Sequence, residues 1–365
     1  MKGERVLVAM SGGVDSSVAA AMLVEQGYDV VGATMKLFSH GDAVPDRPCC
    51  SLDSANDARR VCEKLGIPHY VVDLESKFGN DVIADFVNEY ASGRTPIPCV
   101  RCNSFTKFHD FLRTAEAAEA KWIATGHYAR IVNGELHRGR DANKDQTYFL
   151  WGIDRSVLSR LILPIGDLDK AETRRRAHEL GLSLIAEKPE SQEICFVPDG
   201  DYVAILEHRL GAGAPALSRG PFVTTSGEVI GEHDGFARFT VGQRRGLPGG
   251  SGVPLYVIAI RAEDRAVVIG PKEELLGATV TARELNWLAD TPSVGARVAV
   301  RIRHRAPLAP GEISHISDDE VEISLDEPVL SIAPGQSLAI YDGEKMLGGG
   351  LIEVPARRQL PLFAA

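Results

Sequence analysis

Two sets of residues in this sequence have the types and spacing of a reactive site. The first is Ser11-Gly12-Gly13-Val14-Asp15-Ser16-Ser17, directly after the apolar run Val6 to Met10. Gly12 and Gly13 carry no Cβ, so the backbone there can close on an anion. Three serine hydroxyls add donors, and the N-terminus of a following helix would add more. Asp15 is a carboxylate set among anion-binding groups, a place that suits a Mg2+ ion bridging phosphates. No Gly-Lys-Ser/Thr follows and the string is not G-x-G-x-x-G, so two common nucleotide loops are excluded. The second set is Cys99-x-x-Cys102 with Cys195 far along the chain. Thiols of this kind carry sulfur, resolve disulfides or ligate metal.

The surrounding pattern supplies the elements that must hold these residues. Val6–Met10 reads as a buried strand and Val18–Leu23 as a helix stopping at Gly27. Asp29–Met35 is a second strand, and Lys36–Leu52, with Cys49 and Cys50, is a loop. Ala55 to Leu65 recurs at helical spacing up to Gly66, with Cys62 on its apolar face. A strand over His69–Leu74, a helix over Phe78–Tyr90 and a strand over Trp122–Thr125 follow. Pro96 and Pro98 hold the chain extended before Cys99. Asn103 or Ser104 then caps the next helix, which sets Cys102 beside a helix N-terminus that favours thiolate. Gly126 and His127 fall at the carboxyl end of a strand, where doubly wound sheets bind ligands. Asp154 and Asp169 read as N-caps, the latter with Glu172 in a capping box. Cys195, between apolar neighbours, reads alone as a buried strand cysteine. From Pro221 the chain turns to short alternating strands broken by glycine.

Composition sets bounds. The chain has 365 residues, 44% hydrophobic and 25% charged, which implies two or three globular domains. No run approaches the ~20 apolar residues of a membrane span, and the first strand leaves no room for a signal peptide, so a cytoplasmic, reducing location is expected. A net charge of −10 weighs against a nucleic-acid partner. Local charge weighs the other way. Arg301, Arg303 and Arg305 alternate at strand spacing and should share one face, a plausible phosphate contact.

The loop Ser11–Ser16 resembles that of the ATP pyrophosphatases. With Thr95-Pro96-Ile97-Pro98, Cys102-Asn103, Ala124–Tyr128, Lys144-Asp145-Gln146, Ile194-Cys195-Phe196, Thr240–Leu247, Pro334–Ser337 and Leu347–Gly350, the chain resembles the bacterial tRNA-specific 2-thiouridylases over nearly its whole length. That resemblance implies an α/β domain with a doubly wound parallel sheet of the adenine nucleotide alpha hydrolase kind over residues 1–205. It implies a small β-rich linking domain over 206–275 and a C-terminal β-barrel over 276–365. The implied activity is ATP-dependent 2-thiolation of a tRNA wobble uridine, through adenylation and sulfur transfer from a cysteine persulfide. The implied ATP contacts are Ala9, Met10, Ser11, Gly12, Gly13, Val14, Asp15, Ser16, Met35 and Gly126, with Mg2+. The target base is implied near Ile97, Pro98 and Cys99, and tRNA contacts at His127, Lys144, Asp145, Gln146, Arg303, His304 and Gln336. Cys102 is the implied nucleophile and Cys195 the persulfide carrier. The tRNAs expected are lysine, glutamate and glutamine acceptors. A cysteine desulfurase or persulfide relay would donate sulfur, and a monomeric enzyme is expected. The family commonly has aspartate, thought to assist proton transfer, where this chain has Cys99. Cys99, Cys102 and Cys195 therefore leave two schemes open: persulfide transfer, or a [4Fe–4S] cluster holding sulfide at its open iron. An ATP-dependent amide ligase is the remote alternative, needing no thiols.

Overall fold

The computed structural model describes residues 3–38, 52–188, 194–197, 200–211, 213–249 and 252–354, the side chains of Leu52 and Leu184 excepted. Cys49, Cys50, Glu190–Glu193 and the last eleven residues, 355–365, lie outside these residues.

Val6, Leu7 and Val8 are each at most 1% exposed, so the first strand is covered on both faces. Its period of two sends Val6 and Val8 to one side and Leu7 to the other. Val6 and Val8 pack with the helices Val14–Glu25, Leu52–Leu65 and Lys170–Glu179. Leu7 packs with Phe108, Phe111 and Ala115 of the opposite layer. The strands are β1 (Arg5–Ala9), β2 (Asp29–Lys36), β3 (His69–Asp73) and β4 (Trp122–Ala124). A hairpin, β5 (Ala129–Val132) and β6 (Glu135–Arg138), precedes β7 (Leu161–Ile162). The parallel sheet has the order β3-β2-β1-β4-β7. This is the expected doubly wound domain.

Four strands form the middle sheet: β8 (Gly220–Thr224), β9 (Val229–His233), β10 (Tyr256–Arg261) and β11 (Ala266–Gly270), in the order β10-β11-β8-β9. The remaining six are β12 (Leu276–Trp287), β13 (Arg297–Arg301), β14 (Ala309–Ile316), β15 (Glu320–Leu330), β16 (Ser337–Asp342) and β17 (Lys345–Glu353). They run β12-β15-β14-β13-β16-β17, and pairing of β12 with β17 closes a barrel. Val280, Val300, Ile313, Ile323, Leu338, Ile340 and Ile352 fill it, all fully buried.

The hairpin β5–β6 extends the barrel sheet rather than the parallel one, through Lys345 of β17 opposite His137. It turns at Asn133-Gly134, both with positive φ (54° and 80°). Asn-Gly is the strongest short hairpin signal a sequence offers, and the reading above passed over it.

A second tie is ionic. The Asp145 carboxylate is fully buried and faces Arg138 at 3.1 Å and Arg301 of β13 at 3.0 Å. It also accepts from Gly139 N, Thr147 N and Thr147 Oγ1. Removing one side of a buried ion pair strands the other, at about 3–5 kcal/mol. Asp145→Ala is therefore expected to lower unfolding free energy by about that amount in a chemical denaturation experiment. A loss under ~1 kcal/mol would show that Arg138 and Arg301 find other partners.

Candidate active site

β1 ends at Ala9, and Met10 is pinned on both sides. Its N–H donates to Ala33 O at 2.8 Å and its carbonyl accepts from Thr34 Oγ1 at 2.8 Å. Gly12 has φ +70°, and a Cβ there would sit 2.3 Å from Ser54 O. Gly13 is the N-cap of the helix Val14–Glu25, with no side-chain cap, so the first-turn N–H groups stay open to a ligand. Ser16 and Ser17 donate to Gly13 O, and Ser11 Oγ lies 3.2 Å from Ser16 Oγ. Gly126, after β4, presses on the start of the same helix: its Cβ would lie 2.6 Å from Ser16 N. Met35, two residues past the partner of Ala9 on β2, stands at the same carboxyl edge. Ala9 to Ser16, Met35 and Gly126 thus gather at one end of the sheet.

Asp15 already has side-chain partners. Lys170 Nζ lies 2.8 Å and 2.9 Å from its two oxygens, and Tyr128 OH donates to Oδ1 at 2.8 Å. On the other side of the loop, Lys188 Nζ lies 3.4 Å from Gly12 O and ion-pairs with Asp57. Lys170, Lys188 and Tyr128 are site residues the sequence reading missed. One signal was available: the capping box at Asp169–Glu172, which forms as expected, puts Lys170 at the first helical position. A cation is disfavoured there by the helix dipole. The oxygen donors fit a Mg2+ ion, which Asp15 would hold once its ammonium partner moved.

The thiol segment differs from expectation. The helix starts at Pro98, with proline in its first turn, not at Asn103 or Ser104. Cys102 therefore lies within the helix, at the head of a π-helical stretch, Cys102–Asp110. Asn103 Nδ2 donates to Phe149 O, and Ser104 Oγ to Val100 O. Cys102 is 6% exposed, in an apolar cluster with Phe78, Phe86 and Phe196, and the half-buried Cys195 packs on that cluster. Ile194–Val197 is a turn, closed by Val197 N on Ile194 O, so Cys195 is not a strand cysteine. The structure thus brings Cys102 and Cys195 to one cluster and leaves Cys99 exposed. Cys62 is core as expected; burial pushes its thiol up to about 12. Among the described residues no group of three or more His, Cys, Asp or Glu is arranged to hold a metal ion.

The expected RNA contacts divide. His127 pairs through Nδ1 with Thr125 Oγ1 at 2.7 Å. Burial, and then Lys107, push its imidazole down to about 3, so it is neutral at physiological pH. Asp145 is interior, with protein partners on both oxygens. Gln146 Oε1 accepts from Tyr128 N, while Lys144 is half-buried. The arginine stripe does not form. β13 ends at Arg301, which turns inward to Asp145, and Arg303 and Arg305 follow in exposed turns. His304 lies against Phe149 with ring centroids 4.4 Å apart and the planes tilted by 36°, and burial and Arg301 lower its pKa. Gln336 Nε2 donates to Thr95 O at 3.0 Å, holding the segment before Cys99 against the barrel. Ile97 lines a cavity of about 260 Å³ with Pro96, Val100, Arg101 and Trp151. Cys102 is not in its wall.

Residues 4–199 match the family described as tRNA methyl transferase HUP domain. Residues 210–271 match its PRC-barrel domain, and residues 278–352 an aminomethyltransferase beta-barrel domain. A tRNA-specific 2-thiouridylase of Rhodospirillum centenum is 48% identical over 361 residues, 95% of this chain and 91% of that protein. One from Koribacter versatilis is 47% identical over 370 residues, 96% of this chain and 99% of that protein. One from Halothermothrix orenii is 45% identical over 359 residues, covering 96% and 99%. Among solved structures, a 4-thiouridine synthetase–RNA complex with bound ATP aligns over 57% of this chain and 51% of its own. Its identity is 21% and its TM-score 0.35.

Proposed function

This chain belongs to the tRNA-specific 2-thiouridylase family, and from that premise we propose that it replaces O2 of a tRNA wobble uridine with sulfur carried as a persulfide on Cys195. The reaction is ATP-dependent tRNA thiolation. The uridine O2 attacks the α-phosphate, the bond to the β-phosphate breaks, and pyrophosphate leaves. C2 is then electrophilic. The outer sulfur of the Cys195 persulfide bonds to C2 and AMP departs with the old oxygen. Cys102 thiolate attacks Cys195 Sγ, breaking the S–S bond and leaving 2-thiouridine and a Cys102–Cys195 disulfide. A dithiol supplies two electrons to restore both thiols.

Each step has its residues. The open N–H groups after Gly13 and the Ser11 and Ser16 hydroxyls bind phosphate oxygens. Asp15 would hold the Mg2+ ion, which when bound neutralises charge building on the pyrophosphate. Neutral His127 meets the tRNA beside the nucleotide, and the base must leave its stack to reach ATP and sulfur together. Lys144, Arg303 and the β-barrel grip the tRNA body. A sulfur-donor protein loads Cys195. Among the described residues no helix is long and apolar enough to cross a membrane.

The observation that carries this reading is the convergence of Cys102 and Cys195 on one apolar cluster, in a chain whose phosphate loop has open donors. The alternative, an iron–sulfur cluster on Cys99, Cys102 and Cys195, is separated from the persulfide route by one measurement. Iron and acid-labile sulfide, measured on protein purified without oxygen, should both be absent from a preparation that still thiolates tRNA. Roughly four of each per chain would overturn the persulfide route.

A further inference from the structure

Lys170 is the second positive feature at the mouth of the phosphate loop, and its placement is unusual. It opens the helix Lys170–Glu179, where the dipole disfavours a cation. Its side chain is only 14% exposed, compared with 34% for Asp15. Nζ lies within 2.9 Å of both Asp15 oxygens and 5.7 Å above the Tyr128 ring. Tyr128 OH donates to the same Asp15 Oδ1 and lies 3.0 Å from Thr173 Oγ1 of the Lys170 helix. Asp15 is the second residue of its own helix. Two helices therefore begin at one point, joined by a carboxylate, an ammonium and a phenol.

A pair kept for stability alone gains little here. Partly buried ion pairs are weak evidence for stability, and this one sets its lysine against a helix dipole. The loop Met10–Ser17 contains one carboxylate, Asp15. With Lys170 on both oxygens, a divalent cation can reach that carboxylate only against the charge of the ammonium. A polyphosphate entering the loop changes the balance. Its oxygens compete for the ammonium, and its accompanying cation competes for the carboxylate.

We propose that Lys170 exchanges partners on nucleotide binding. Before ATP arrives it occupies Asp15. When Mg-ATP enters, the ammonium turns to phosphate oxygens and Asp15 passes to the cation. The inference rests on the ATP reading of the loop. It gives Lys170 a direct phosphate contact and makes Tyr128 the residue that holds Asp15 in place during the exchange. Each charged group trades one counter-charge for another, so neither partner is left buried and alone.

The test uses the full-length protein with Lys170→Met and Lys170→Arg, Mn2+ as a paramagnetic probe, and ATP titrations. In Lys170→Met, Mn2+ without nucleotide should bind at least about fivefold tighter, because Asp15 is released. Mg-ATP should bind at least about tenfold weaker, because a charge-assisted phosphate contact is lost. Lys170→Arg should restore ATP affinity to within about threefold, the charge being kept. The opposite signs for metal and nucleotide are the diagnostic, since a structural brace would move both the same way along with the melting temperature. Metal and nucleotide affinities that fall together overturn the exchange, as do affinities that match the parent protein. A parent protein that binds Mn2+ but not ATP overturns the nucleotide reading, and the exchange with it.

Discussion

Cys102→Ala should lower tRNA thiolation to background, a loss on the order of a thousandfold or more, while tRNA-dependent release of pyrophosphate from ATP continues. The split follows from where the groups lie. The proposed phosphate site is built from the end of β1, Gly126 two residues past β4 and the starts of two helices. Cys102 belongs to a different cluster, behind Phe78, Phe86 and Phe196. Its truncation removes the proposed nucleophile from an apolar wall. In the proposed sequence adenylation precedes sulfur attack, so it needs no thiol. Mass spectrometry of the digested tRNA would report 2-thiouridine, and a pyrophosphate assay would report the first half-reaction. Loss of both activities in a folded variant would mean that Cys102 also shapes the nucleotide or base site. Retention of both would remove it from the reaction.

Gly126→Ala should fail earlier. A Cβ at this position would lie 2.6 Å from Asp15 C, 2.6 Å from Ser16 N and 2.9 Å from Ser16 Cα. These are backbone atoms at a helix start, with no rotamer by which to move aside. Either β4 shifts from the loop or the loop shifts from its ligand. The expected cost is about 1–3 kcal/mol in stability, as for other overpacked sites. A rise of at least about tenfold in the ATP concentration needed should accompany it, since misplaced donors bind phosphate poorly. Gly79→Ala is the control. It lies at φ −59° with nothing within 4 Å of an added Cβ. Thermal melts and ATP titrations of both variants decide the matter. Equal ATP affinity in Gly126→Ala and the parent protein would show that the strand yields without disturbing the loop.

The residues that announced themselves in the sequence were those whose role depends on near neighbours. Ser11 to Ser17 fold on their own turn, and Gly126 follows its own strand, so pattern and spacing were enough. The barrel strands alternate visibly, although β12, at twelve residues the longest, was not anticipated. What stayed hidden depends on distant partners. Lys170 meets Asp15 across 155 positions and Lys188 meets Gly12 across 176. No local pattern encodes such a meeting. Arg301 misled for the same reason. Its spacing suggested a surface stripe, but a buried carboxylate at Asp145 draws it inward and the strand stops there. The cap expected at Asn103 lost to Pro98, whose ring fixes φ for a helix start six residues sooner. The helix Tyr202–Leu210 was likewise unforeseen and runs through the boundary expected at residue 205.

The barrel is joined to the rest of the chain by more than a covalent linker. Gln336 holds Thr95, Thr95 N donates to Pro334 O, and Arg94 bridges Glu89 and Glu353. Asn286 reaches the carbonyls of Trp151 and Ile153, and Trp151 Nε1 donates to Ser337 Oγ. This portion is therefore not an exchangeable cassette. A hybrid spliced near residue 275 would inherit half of each seam, with the stretch leading to Cys99 resting on a foreign surface. Segments 89–96, 129–153 and 276–353 form one unit of inheritance, so substitutions within any one of them are constrained by the other two.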